Sequence, residues 1–317
     1  MRPKVSSYPP VVVDVYRGPS VESRHQLVAS VVDSEGREVA RYGDPDFSTY
    51  WRSSAKPFQA RPWVEGGTVE HFGWGEHEIA IMCASHVGSD VHAGLVRRML
   101  ADIGLSEADL RCDHDLKACH NCSGNHTGML AACVHHGWSL TTYQQADHPA
   151  QRAGVASVAE ASGIPEEEIP CAVDGCGIVV CATPVVAAAR AYAALPALAP
   201  RIASAMRAHP TLIEGEGELD TVIMQCFPGA LSKAGAEGLG CVALPTGGAI
   251  AAKAIDGGDR AVGPALVALL VRHLGLDDVP SGAESTARPV VLNDAGNVVG
   301  ELRAVLPSSM EGQEGRL

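Results

Sequence analysis

Leu239-Gly240-Cys241-Val242-Ala243-Leu244-Pro245-Thr246-Gly247-Gly248-Ala249-Ile250-Ala251-Ala252-Lys253-Ala254-Ile255-Asp256 is the stretch whose reading decides the fold. Two short β-rich runs flank Pro245-Thr246-Gly247-Gly248, a turn signal, so the segment reads as a hairpin. A matching pattern stands near the other end. Residues 11–16 and 24–33 cluster β-branched side chains, and Ser34-Glu35-Gly36 turns the chain before Val39-Ala40-Arg41-Tyr42. Between them the period is helical: 53–64, then about 89–103 with Val91, Leu95, Met99 and Leu100 on one stripe, then 126–136, 148–162, 184–194 and 198–208. A further helix is predicted over 259–274. Pro149 suits the first turn of its helix and Gly163 the C-terminal stop. This order predicts an α+β fold, a single unit over 1–317. Its mainly antiparallel sheet comes from about 10–45 and 239–305, and its helical part spans about 53–235. No internal repeat or low-complexity linker interrupts it, and the polar tail from Ser308 to Leu317 reads as loose.

A chain of 317 residues, 46% hydrophobic and 19% charged, has enough apolar material for a sizeable core. The formal net charge of −13 argues against nucleic acid or an anionic membrane as the main partner, and favours a small ligand. Met1-Arg2-Pro3-Lys4 is basic, but the run that follows, Pro9-Pro10-Val11-Val12-Val13, is short and broken by Asp14, so no targeting segment is read. The apolar stretch 178–195 is interrupted by Arg190 and does not read as a membrane span. The expectation is a cytoplasmic protein. Its ten scattered cysteines are therefore expected to be reduced thiols, some buried and some candidate ligands.

Ser53-Ser54-Ala55-Lys56-Pro57 places a hydroxyl and an amine three residues apart, on one face if the segment opens a helix. A hydroxyl beside an amine that can take its proton is a minimal nucleophile–base pair. The spacing alone also arises by chance. Ser85, in Cys83-Ala84-Ser85-His86-Val87-Gly88, reads as a second active hydroxyl or as a helix N-cap with Asp90 in the first turn; on the residues alone the cap leads. Asn121-Cys122-Ser123-Gly124-Asn125-His126-Thr127-Gly128-Met129 packs small residues, a thiol, an amide and an imidazole together. Such a run is costly inside a helix and suits a site-lining loop leading into one. With Cys119 it also forms a Cys-x-x-Cys unit, although no second close-set pair completes a zinc module. Asp174-Gly175-Cys176-Gly177 reads equally as a close-approach loop whose Asp174 holds a substrate ammonium and as a tight turn. Lys253 sits in an apolar, strand-like run, where a lysine is either partly desolvated or snorkels to water. Lys233, its competitor, has the setting of an exposed loop.

Seven collinear segments resemble the rhizobial-type, third structural class of L-asparaginases. They are Val21-Glu22-Ser23-Arg24-His25, Ser53-Ser54-Ala55-Lys56-Pro57, Cys83-Ala84-Ser85-His86, Asn121-Cys122-Ser123-Gly124, Asp174-Gly175-Cys176-Gly177, Lys233-Ala234-Gly235-Ala236-Glu237-Gly238 and Lys253-Ala254-Ile255-Asp256-Gly257. The resemblance implies a fold like that of serine β-lactamases and glutaminases, and a homodimer. It implies hydrolysis of L-asparagine to aspartate and ammonia by two Ser-Lys tandems, Ser53 with Lys56 and Ser85 with Lys253. Arg52, Asp174, His126 and Asn125 would line the substrate pocket. The family holds zinc with two cysteines and a lysine; the cysteines match Cys122 and Cys176, but the lysine position is Asn125. An amide is a poorer zinc ligand than a thiolate or amine, so zinc is expected to be weakened, lost or rebuilt with His126. The alternatives are another serine amidase of the same fold, acting on a β-lactam or glutamine, and a non-catalytic amino-acid-binding homologue.

Overall fold

Val11, Val13 and Val15 are buried while Val12 and Tyr16 are only half-buried, the period-2 signature of a strand with one face on a core. The strands in chain order are β1 (Val11–Arg17), β2 (Ser20–Val32), β3 (Glu38–Tyr42), β4 (Ser48–Tyr50), β5 (Cys171–Val173), β6 (Val179–Pro184), β7 (Leu231–Gly235), β8 (Leu239–Ala243), β9 (Ala249–Ala254), β10 (Val290–Leu292) and β11 (Val298–Val305). The computed structural model describes residues 8–112 and 115–307. The tail read as loose, 308–317, and the basic Met1-Arg2-Pro3-Lys4 lie outside the described residues.

The chain divides into two compact units, one of residues 1–49, 183–194 and 222–317, the other of 50–182 and 195–221. In the first, eight strands form one sheet in the order β10-β11-β1-β2-β9-β8-β7, with β3 also on β2. The described pairings are antiparallel. The hairpin read from 239–256 is β8–β9, and β9 pairs directly with β2, which comes from the other end of the chain (Leu27 with Ala254, Val32 with Ala249). Asp14, buried on the opposite face of β1 from Val13 and Val15, is not left unpaired: its register partner Arg24 on β2 grips both carboxylate oxygens, at 2.6 and 3.0 Å. The helix Val262–His273 packs on β8, β9, β1 and β11 through Val262, Leu266 and Leu270, each side chain contributing about 2 kcal/mol when fully buried. Gly240 on β8 permits this contact, because a Cβ there would lie 2.6 Å from both Leu266 and Val262.

The second unit is mainly helical: Lys56–Glu65, Glu76–Met82, Asp90–Asp102, Ser123–His136, Pro149–Ser162 and Pro200–Ala208. Pro149 and Gly163 stand where the sequence puts them, in the first turn and as a left-handed C-cap (φ 71°). The fold is α+β, with an antiparallel sheet drawn from both ends of the chain. Among the described residues no helix is long and apolar enough to cross a membrane.

Three local readings change. The segment read as an exposed loop around Lys233 is β7, and Lys233 is fully buried, its Nζ donating to Ala234 O at 2.9 Å. The Asn121–Met129 run read as a loop enters its helix at Ser123. Gly124 and Gly128, four apart, bring this helix against Glu76–Met82: Cβ atoms there would lie 2.2 Å from Ile81 O and 2.8 Å from Met82 Cγ. Packing thus outweighs the poor helix propensity of glycine. Gly124→Ala is expected to cost about 3 kcal/mol, since the obstructing atom is backbone and cannot swing aside. An unchanged thermal midpoint would refute this. The third change concerns Ser85: the helix Asp90–Asp102 has Ser89, not Ser85, at its N-cap, which removes the capping role from Ser85.

Candidate active site

Trp51, buried and edge-on to Phe58, anchors the chain by donating its N–H to Cys181 O of β6 at 2.9 Å. A single 3-10 turn, Arg52–Ala55, then feeds the helix Lys56–Glu65, with Pro57 in its first turn, where a missing N–H costs nothing. Ser53 and Lys56 therefore flank a junction between helix types rather than sharing one α-helical face. Arg52 adopts a left-handed backbone (φ 49°), a conformation costing a side-chain-bearing residue about 1 kcal/mol. Its Nε donates to Asp174 Oδ1 at 2.7 Å. Asp174 heads the turn between β5 and β6: its N–H donates to Ile178 O, its carbonyl accepts from Gly177, and its Oδ1 also accepts the Gly175 N–H. The tight-turn reading of Asp174 therefore holds, and the turn presents the carboxylate to Arg52.

Lys56 is 1% exposed, and its ammonium donates to Ala84 O at 2.7 Å and to Ser85 Oγ at 2.8 Å. The side-chain partner of the Lys56 amine is thus Ser85. Among the described residues the half-buried Ser53 has no hydrogen bond to its hydroxyl; only its carbonyl is used, by the Lys56 N–H. The backbone of Ser85 is fixed by donation to Ile213 O at 2.8 Å, and that of Val87 by donation to Glu214 O.

His86, which the sequence reading did not single out, lies behind Ser85. Its Nδ1 accepts the Gly88 N–H, and Ser123 Oγ, which donates to Ala118 O, can only accept from His86 Nε2–H (3.0 Å). The ring is therefore neutral, and burial holds its pKa down at about 3. His92 stacks on it at 4.7 Å. The signal in the sequence was only the dipeptide Ser85-His86. His126 is likewise fully buried. Tyr143 OH accepts the Arg111 N–H and donates to His126 Nδ1 (2.6 Å), leaving the proton on Nε2, and burial lowers the pKa to about 4. Both rings ionise near 6.5 when unfolded, so their stabilising effect is complete above that pH and is lost as pH falls toward 4. The loss is about 3 kcal/mol from each by pH 4. The thermal midpoint is expected to drop steadily below pH 6.5, with a shallower slope in His86→Gln; an identical slope would exclude the histidine contribution.

Cys122 Sγ donates to Asn121 Oδ1 at 3.3 Å; its interaction with neighbouring Cys176 holds the Cys122 thiol well below the usual range, helped by Lys56, and pushes the buried Cys176 up. Asn125 is fully buried and donates from Nδ2 to Met82 O at 3.0 Å, while its Oδ1 and the His126 Nε2 have no partner among the described residues. Two donors of a cysteine–lysine–cysteine zinc set are thus together, and the third position is an amide anchored elsewhere. Among the described residues no three His, Cys, Asp or Glu side chains converge to hold a metal. The residues present do not complete that donor set.

Lys253 belongs to the first unit, on β9, where it is 6% exposed. Its Nζ donates to the carbonyls of Glu237 and Ala254, both at 2.5 Å. Burial lowers its pKa, opposed by Glu237, Asp256 and Asp259. Glu237, left-handed at φ 65°, is the other residue besides Arg52 with a positive φ and a side chain among those described.

A buried amine on a serine hydroxyl is an arrangement that can take up that hydroxyl's proton. Over residues 13–304 the chain matches the family model of L-asparaginase II, and it belongs to that family, whose class is the asparaginase-type amidohydrolases. No curated protein matches it. Solved structures similar to it include Mglu in its native form (14% identity, 72% of this chain and 59% of that one, TM-score 0.42). Mglu in 4.3 M NaCl is also similar (13%, 79% and 60%, TM-score 0.44), as is a β-lactamase from Mycobacterium bovis (15%, 82% and 93%, TM-score 0.39). The chain spans about 60% of the Mglu chains it matches.

Proposed function

We propose that this protein hydrolyses L-asparagine to L-aspartate and ammonia. The observation that carries the reading is the buried Lys56 ammonium on Ser85 Oγ, beside Ser53, in a chain of the L-asparaginase II family. In the proposed reaction a serine oxygen attacks the side-chain amide carbon and Lys56, in its neutral form, takes the hydroxyl proton. That proton goes to the leaving nitrogen, ammonia departs, and water hydrolyses the aspartyl ester. Ser53 is the nucleophile the resemblance implies; the Lys56–Ser85 bond favours Ser85 as the second reading. Lys253 supplies the other amine of the two tandems. Arg52 and Asp174, opposite charges already paired, suit the α-carboxylate and α-ammonium of an amino acid, with Asn125 and His126 completing the pocket.

A catalytic unit over 1–317, a homodimer, cytoplasmic residence and weakened zinc are parts of the same proposal. Purified protein is expected to release ammonia from L-asparagine, and much less from glutamine, whose extra methylene a close-fitting pocket disfavours. Metal analysis of that preparation is expected to show less than stoichiometric zinc, and size-exclusion chromatography a dimer. Turnover of a β-lactam without turnover of asparagine, or calorimetric binding of asparagine without ammonia, would replace the reading.

A further inference from the structure

Cys171 and Cys181 face each other across β5 and β6, with register pairs Cys171–Cys181, Ala172–Val180 and Val173–Val179. Ala182 N–H donates to Pro170 O at 2.9 Å and Asp174 N–H to Ile178 O at 2.8 Å. Hydrogen-bonded and non-hydrogen-bonded pairs alternate along an antiparallel ladder, so 171 and 181 form a non-hydrogen-bonded pair. There the Cα atoms approach to about 4.5 Å, inside the disulfide range of roughly 4.4–6.8 Å. The two sulfurs are 4.0 Å apart in the reduced protein, so side-chain rotation is the main movement a bond requires. Cys171 is exposed and Cys181 buried. An oxidant therefore meets Cys171 first, while Cys181 is held beside it as the resolving thiol.

We propose that Cys171 and Cys181 are an oxidation site that closes reversibly to a cross-strand disulfide. The co-reactant is a low-molecular-weight disulfide. The Cys171 sulfur attacks one of its sulfurs and expels one small thiol, forming a mixed disulfide. Cys181 then attacks the Cys171 sulfur and expels the second. Two cysteine thiols are oxidised, the small disulfide is reduced to two thiols, and the two cysteine protons leave on them. Cross-linked pairs that are exposed or strained are the more easily reduced ones, which suits a reversible device. The hairpin so tied carries Asp174 and Cys176 in its turn, and Cys181 O holds Trp51 immediately before Arg52. An effect on turnover would rest on the asparaginase reading; the cross-link itself does not.

The test incubates full-length native protein with oxidised glutathione, blocks remaining thiols with N-ethylmaleimide and maps the peptides by mass spectrometry. The expected result is a Cys171–Cys181 cross-linked peptide pair that dithiothreitol separates, and its absence in Cys171→Ser, a replacement at an exposed position that leaves the melting temperature unchanged. Ammonia release is measured separately on both forms, so an inactive protein still gives a readable map. Glutathione left on Cys171 with Cys181 blocked by maleimide would overturn the proposal. So would two maleimide-labelled cysteines, or a cross-link confined to Cys122 and Cys176.

Discussion

Replacing Lys56 with methionine is expected to lower kcat for ammonia release from L-asparagine by about 10³–10⁴-fold, the upper range for losing a positioned base. KM should change little, because the proposed head-group contacts belong to Arg52 and Asp174. Methionine nearly preserves the volume of the aliphatic stem and removes only the amine, but Ala84 O and Ser85 Oγ lose their donor. That leaves a buried carbonyl unpaired at about 1–3 kcal/mol, so activity is to be read at a temperature where circular dichroism shows the variant folded. Lys56 serves whichever serine attacks, so its loss tests the chemistry without presupposing the nucleophile. A folded variant within tenfold of wild type would remove Lys56 from the reaction.

The second large effect separates the serines. Removing the nucleophile is expected to cost at least about 10⁴-fold, whereas removing a serine that only passes protons should cost about 10–10²-fold, given how strongly residues of one catalytic unit depend on each other. The two alanine variants differ in stability as well. Ser85→Ala deletes the hydroxyl acceptor of Lys56, worth about 1 kcal/mol, while Ser53→Ala breaks no side-chain hydrogen bond found among the described residues and should stay within about 0.5 kcal/mol. If Ser53 attacks, the variant with the smaller structural effect has the larger kinetic one. The reverse ranking, with an acyl group trapped on Ser85 in an intact-mass measurement, would transfer the nucleophile to Ser85.

Strands with regular patterns were the legible part of the fold. The β8–β9 hairpin, the β2–β3 hairpin and most helices follow from turn residues and apolar spacing. What escaped depended on tertiary contact. Leu231-Ser232-Lys233-Ala234-Gly235 has no alternation to betray a strand, and burying Lys233 is a consequence of the finished sheet rather than of its neighbours in sequence. The helix predicted over 126–136 begins earlier, at Ser123, because the element that Gly124 admits, Glu76–Met82, is distant in the chain. In the site, the spacing of Ser53 and Lys56 was visible, but the partner that Lys56 holds, Ser85, lies on a different segment, and only folding brings the two together. The involvement of His86 was hidden for a similar reason, since it depends on Ser123 and on a proton position fixed by Ala118 O.

The pairing of β2 with β9 has a consequence for how the protein is made. A ribosome delivers β1, β2 and β3 early, but the partner that β2 needs on its other edge follows only after the whole helical unit, and β11, the partner of β1, later still. The nascent hairpin therefore waits with open edges while the helical unit is made, a period in which unpaired strands attract other chains. Closure of such sequence-distant pairs is slow. Demand for chaperones during expression should accordingly fall on this amino-terminal ribbon, while the helical unit, built largely from one continuous stretch, can fold as it emerges.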